Sequence, residues 1–178
     1  MSEEAEQALA AWQAREDELR AGLRVHGLAR PEQVAGKAAL QMFEAMLAGE
    51  LPAAPIAKTL SFLLVEVGFG RAVFQGRPQF DHYNPLGGVH GGWIATLLDS
   101  CVGCAVHSTL PAGRGYTTLE LKVNFVKGLT ERVPLVRAVG EVIHAGKTVA
   151  TADGRLVGPD GTLYAHASTT CLIFDARA

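Results

Sequence analysis

Apolar residues Ala5, Leu9, Trp12, Leu19 and Leu23 recur at helical spacing among Glu, Gln and Arg, and predict a surface helix from Ser2 to about Leu23. Arg30-Pro31-Glu32 predicts a restart with proline in the first turn, and Ala39, Met42, Phe43, Met46 and Leu47 carry the same period on to Gly49 and Pro52. Leu51 to Ala57, with its two prolines, is a connector. Two apolar runs, Ser61 to Val67 and Arg71 to Gly76, flank Gly68-Phe69-Gly70 and predict a strand pair. A loop rich in Pro, Asp, His and Asn leads to Gly88, and an almost uncharged helix follows from about Gly91 to His107. Beyond Pro111-Ala112-Gly113 the pattern is all strand. Leu119, Leu121, Val123 and Phe125 alternate with Glu120, Lys122 and Asn124, and further strands are expected over about Val133 to His144, Thr148 to Val157 and Thr162 to Ile173.

A single helix with almost no charge has to be covered over most of its surface, and a long antiparallel sheet curved around it does this with least chain. The expected architecture is therefore α+β, a hotdog fold: residues 51–178 form a long antiparallel sheet wrapped around a central helix, and residues 1–50 form an N-terminal helical extension. One sheet covers only one side of the helix, so self-association as a homodimer or a homotetramer is expected.

Composition narrows the partners. The formal net charge is −2, with no run of Lys or Arg longer than a pair, which leaves no electrostatic footprint for a nucleic acid. Met1 is followed by Ser-Glu-Glu-Ala-Glu rather than a basic and then apolar leader, so the cytoplasm is the expected location. Cys101, Cys104 and Cys171 are too few for a disulfide framework. Cys101 and Cys104 have redox or metal spacing but lie inside an apolar helix with no second pair, so they are expected to be small core residues with no metal. Val89 to Leu110 is the nearest approach to a membrane span, but Asp99, His90 and His107 interrupt it and no span is expected.

The chemistry concentrates in Asn84-Pro-Leu-Gly-Gly-Val-His90-Gly91-Gly92 and the helix that follows. Asp99 is the only acidic or basic residue other than histidine between Val89 and Leu110, surrounded at helical spacing by Ala95, Thr96, Val102 and Gly103. A lone carboxylate on a small apolar face is expected to be buried, and desolvation makes it a stronger base. Gly91 and Gly92 stand where loop becomes helix, where unpaired N–H groups and the positive end of the helix dipole can receive a polarised carbonyl oxygen. His90 and Asn84 taken singly are equally explained as a structural histidine and a turn residue; their spacing ahead of the helical Asp is the specific feature.

These residues resemble the phenylacetate-degradation (PaaI) type of hotdog thioesterase, which hydrolyses acyl-CoA thioesters. The resemblance covers about Leu51 to Ile173 and rests on Asn84-Pro85, His90-Gly91-Gly92 and Asp99, with Tyr116-Thr117-Thr118-Leu-Glu-Leu-Lys-Val-Asn124-Phe125 as the family's next strand. It implies that the Gly91 N–H polarises the thioester carbonyl and that Asp99 acts as base or nucleophile. It further implies that Asn84 orients the water or thioester, that His90 shapes the loop, and that a hydroxyl near Thr117 holds Asp99 or the water. Alternation puts Thr117 on the face of Leu119, toward the helix, and Thr118 on the other, which selects Thr117. The resemblance also implies that Gly146 and Lys147 bind CoA, which enters as part of the substrate, with no separate cofactor. Trp93 is expected in the core.

Two other readings share parts of this pattern. A hotdog acyl-CoA dehydratase or hydratase would carry a catalytic His in another motif, and a non-catalytic acyl-CoA binding protein would lack the helical acid. Gly91 and Asp99 are eight residues apart, about 12 Å of helix rise, too far to act on one carbonyl, so the two roles are expected to come from two chains.

Overall fold

The computed structural model describes residues 1–23 and 25–176. Four helices precede the sheet: α1 (Glu3–Gly22), α2 (Pro31–Val34), α3 (Ala39–Leu47) and α4 (Pro55–Thr59). The strands are β1 (Phe62–Gly68), β2 (Arg71–Gly76), β3 (Arg114–Phe125), β4 (Val136–Ala145), β5 (Val149–Val157) and β6 (Leu163–Asp175), and the long helix α5 (Gly91–Ser108) lies between β2 and β3. They form one six-stranded sheet in the order β1-β2-β4-β5-β6-β3, every neighbouring pair antiparallel. The sheet wraps α5, which touches all six strands, and this is the hotdog arrangement. Among the described residues, no helix is long and apolar enough to cross a membrane.

The core lies between α5 and the concave face of the sheet. Leu97, Leu98, Cys101, Val102, Ala105 and Val106 are fully buried there, and a large aliphatic side chain so placed stabilises the fold by about 1.5–3 kcal/mol. Gly140 and Gly154, opposite each other on β4 and β5, let the helix lie close. A Cβ at Gly140 would collide with the Cys101 carbonyl, and one at Gly154 would stand 2.7 Å from Val102 Cγ1.

Two local expectations need correction. The second helix is two pieces, because Gly36 adopts φ +71° and the chain restarts after Ala38. The connector at 51–57 contains the first part of α4, with Pro55 at its first position, where the missing N–H costs nothing.

The N-terminal helix is docked on the sheet's convex face. Leu19 packs with Leu63, Val65 and Val73. Beside it a polar network crosses the same interface: Gln75, fully buried, donates to Glu16 Oε2 at 3.0 Å and to the Trp12 carbonyl at 3.1 Å, and accepts from Arg137 Nε at 2.9 Å. Glu16 also accepts from Arg20 at 2.7 Å, and the Arg137 guanidinium lies 4.6 Å from the centre of the Trp12 ring. Helix α3 takes a different position, against α5, where the Ala39 N–H donates to the Leu110 carbonyl at 3.2 Å.

Candidate active site

The loop before α5 is held by its own side chains. Asn84 Oδ1 accepts from the Leu86 N–H at 2.8 Å, which makes an Asx turn of Asn84-Pro85-Leu86, and the Asn84 N–H donates to the Gly88 carbonyl at 2.8 Å. His90 is the N-cap of α5: its Nδ1 accepts from the Gly92 N–H at 2.8 Å, and its own N–H donates to the His82 carbonyl at 2.8 Å. The Gly91 N–H, at the first helical position, has no protein acceptor among the described residues. It is one of the donors every helix start leaves over, with the dipole's positive end behind it. His90 thus serves Gly92 and leaves Gly91 open. A Cβ at Gly91 would stand 3.0 Å from the Phe125 ring, so the side chain is absent where β3 closes over the helix start.

Beside this N–H lies a cavity of about 310 Å³ lined by Val89, Ile94, Phe125, Val126, Lys127 and Leu129. Phe125 and Val126 are both more than half exposed there, an apolar rim around an open donor.

Asp99 stands two turns further along α5, and its position corrects one expectation: in the single chain it is exposed. The sheet covers the face of Leu98, Cys101 and Val102 and leaves the face of Asp99 open. Its carboxylate has one hydroxyl partner, Thr118, whose Oγ1 donates to Oδ1 at 3.1 Å. This also corrects the choice of Thr117. The register of β3 against β6 shifts between Thr118 and Glu120, a bulge at Leu119 that resets the alternation. Leu121 and Val123 pack on the core as expected, but upstream of the bulge Tyr116 and Thr118 face α5, while Thr117 and Leu119 are exposed on the convex side.

Tyr116 was not singled out by the sequence pattern. Its ring lies against Gly103 and packs beside His107, centroids 5.1 Å apart with the planes tilted at 41°. Burial and the negative charge of Asp99 push the Cys104 thiol up to about 12, and burial pushes Cys101 higher still, so both thiols are protonated at neutral pH. Among the described residues no group of three or more His, Cys, Asp or Glu side chains is placed to hold a metal ion. Trp93 is in the core, its Nε1 donating to the Leu60 carbonyl at 2.8 Å.

Gly146 and Lys147 form the β4–β5 turn at the other end of α5, beside a cleft of about 340 Å³ shared with Pro111 and Arg114. Arg114 Nη2 donates to the Lys147 carbonyl at 2.7 Å. One chain therefore presents Asn84, His90 and Gly91 at the start of α5, Asp99 and Thr118 at its middle, and Gly146 and Lys147 past its end. It does not bring these three groups together.

The thioesterase superfamily model matches residues 86–165, the stretch that carries Gly91, Asp99 and Thr118. The crystal structure of a phenylacetic acid degradation-related protein from Ralstonia eutropha, assigned as a thioesterase, is 30% identical with a TM-score of 0.66, the match covering 73% of this chain and 98% of that one. The chain belongs to the thioesterase superfamily. Phenylacetic acid degradation protein PaaI from Thermus thermophilus shares the fold at 23% identity, with a TM-score of 0.60 over 66% of this chain and 97% of that one. A protein of Halobacterium salinarum named as an esterase is 37% identical over 78 residues, 43% of this chain and 50% of its own length. The thioesterase-superfamily chain thus spans about half the length of the curated relatives it matches.

Proposed function

We propose that the protein hydrolyses acyl-CoA thioesters at a site built from two copies of the chain. The observation that carries this reading is the pairing, on one helix, of an open Gly91 N–H at its start with a hydroxyl-anchored carboxylate, Asp99, eight residues on. A donor aimed at developing negative charge and a base for water are the two parts that acyl transfer needs. They are separated by about 12 Å of rise, so one carbonyl meets both only when Gly91 of one subunit lies beside Asp99 of another. Two α5 helices packed antiparallel about a two-fold axis achieve this and create two equivalent sites.

In this reading the thioester oxygen accepts from the Gly91 N–H, and Asp99 either removes a proton from an attacking water or attacks the carbonyl carbon itself. The tetrahedral intermediate collapses with cleavage of the C–S bond, and the CoA thiolate leaves and is protonated. Attack by Asp99 leaves a mixed anhydride, which water then hydrolyses. Asn84 spends Oδ1 on its own turn, so its contribution to substrate would come from the amide NH₂. Gly146 and Lys147, with Arg114 beside them, would receive the CoA phosphates. The partner's surface would also cover the exposed Asp99 and keep bulk water from the carboxylate.

The test is release of free CoA thiol from short, medium, long and aryl acyl-CoAs. Turnover of at least one class is expected; a folded protein that releases thiol from none of them overturns the reading.

A further inference from the structure

Gly91, whose N–H is left open, is itself part of the wall of the 310 Å³ cavity at the start of α5. The floor of that cavity is buried and apolar. Val89, Ile94 and Leu129 are 6%, 4% and 2% exposed, and the Val89 N–H donates to the Leu129 carbonyl at 2.9 Å, which ties the loop before α5 to the segment after β3. Ile94 follows Gly91 by three residues, so its side chain lies on the same face of the helix, one turn inward. The rim, Phe125 and Val126, is apolar surface that the single chain leaves uncovered. Among the described residues Lys127 is the one charge in the wall, and its Nζ lies over the Tyr164 ring, 5.9 Å from the centroid, outside the residues that line the cavity. The lysine gives the cavity its apolar stem while its ammonium is engaged elsewhere.

We infer that this cavity receives the acyl group, on the same subunit whose Gly91 N–H holds the carbonyl oxygen, and that it selects an uncharged apolar acyl group of intermediate size. The inference rests on the thioesterase reading above and goes beyond it by naming the acyl class and the residues that read it, Ile94 and Phe125. With the oxygen on Gly91, either the acyl carbon or the sulfur of the thioester can turn toward the cavity. The arm of CoA carries amide and phosphate groups that would lose water there without finding partners, so it is the acyl branch that enters. A carboxylate at the end of the acyl group is disfavoured for the same reason. At about 30 Å³ for each water-sized group, a cavity of about 310 Å³ holds about ten of them, so a chain of more than about ten carbons projects from it. An acetyl group leaves most of the apolar wall without contact.

The test measures kcat/KM for acetyl-, hexanoyl-, octanoyl-, palmitoyl-, succinyl- and phenylacetyl-CoA in the wild-type protein and in Phe125→Ala, Phe125→Leu and Leu119→Ala, with folding checked by circular dichroism. Each methylene added between acetyl and hexanoyl should raise kcat/KM by about fourfold, and palmitoyl-CoA should not exceed octanoyl-CoA. Succinyl-CoA should fall at least about tenfold below hexanoyl-CoA. Octanoyl and phenylacetyl groups both have the chemistry the cavity takes, and the faster of the two distinguishes a chain from a ring. Phe125→Ala should lower the preference for that substrate over acetyl-CoA by about tenfold, and Phe125→Leu should lower it less. Leu119→Ala removes a similarly exposed apolar side chain from the convex side of the same strand and should leave the preference unchanged. A wild type that prefers acetyl-, succinyl- or palmitoyl-CoA overturns the inference without any variant, and so does an unchanged preference in folded Phe125→Ala. Both results leave the thioesterase reading standing. No turnover of any acyl-CoA overturns that reading and the inference with it.

Discussion

Thr118 Oγ1 donates to Asp99 Oδ1 at 3.1 Å, which ties the edge strand β3 to the middle of α5 on the face the sheet leaves open. The bond fixes one carboxylate oxygen and leaves the other for water or substrate. A neutral amide cannot do the carboxylate's work. Asp99→Asn should fold normally and lower kcat by about 10²-fold or more. Turnover assays measure this, and single-turnover reaction of the wild type in heavy-oxygen water tests for covalent attack: label appearing in Asp99 shows a mixed anhydride opened by water at the Asp99 carbonyl, whereas label only in the product acid is shared by a general base and by water attacking the acyl carbon of the anhydride.

Thr118→Ala removes a positioning hydroxyl worth about one hydrogen bond, so kcat should fall by roughly tenfold. Thr117→Ala, on the convex face, should leave kcat within about twofold of wild type, as expected for a surface change remote from the site. The two variants assayed side by side check which threonine serves Asp99.

That pair also marks how far the sequence could be read. The lone charge of Asp99 on an apolar helix and the glycine-rich entry to that helix were visible directly, because each breaks its surroundings in composition. The bulge at Leu119 was not: it inverts the faces of Tyr116, Thr117 and Thr118 while leaving Leu121 and Val123 inside, and no residue type in the segment announces it. The exposure of Asp99 in a single chain is not legible for a related reason, since an uncharged helix face reads the same whether a sheet or a second subunit covers it. Gly36 is one glycine among many, and its positive φ, which divides the second helix, was equally silent.

The docking of α1 was also beyond the pattern. It depends on Glu16 and Gln75, polar residues 59 positions apart that are buried within one hydrogen-bond network shared with Trp12, Arg20 and Arg137. Glu16→Ala removes one of the two acceptors of the Gln75 amide, the other being the Trp12 carbonyl, together with the carboxylate that pairs with Arg20, and should cost about 2 kcal/mol. The measurement is a lower Tm together with faster hydrogen exchange across residues 3–22, with turnover largely preserved.

Burial holds the His26, His82 and His107 imidazoles below their ordinary value of 6.5, with the nearby Lys58 and Arg20 charges adding to it at His26. The unfolded chain therefore binds more protons than the folded one as pH falls through about 6.5, and stability should drop from there toward pH 5. Tm measured between pH 7.5 and 5 should decline over that window. His107→Asn should make the decline shallower, because one of the three contributing histidines is gone.

In the proposed dimer one site takes Gly91 and Asn84 from one chain and Asp99 from another. Asn84→Ala and Asp99→Ala, each inactive alone, are unfolded together and refolded as a mixture. Random pairing makes half the dimers mixed, and each mixed dimer has one intact site of two, so about a quarter of wild-type activity should return. A mixture no more active than its parents, in samples shown by mass spectrometry to contain mixed dimers, would place the whole site within one chain and rule out a site shared between two.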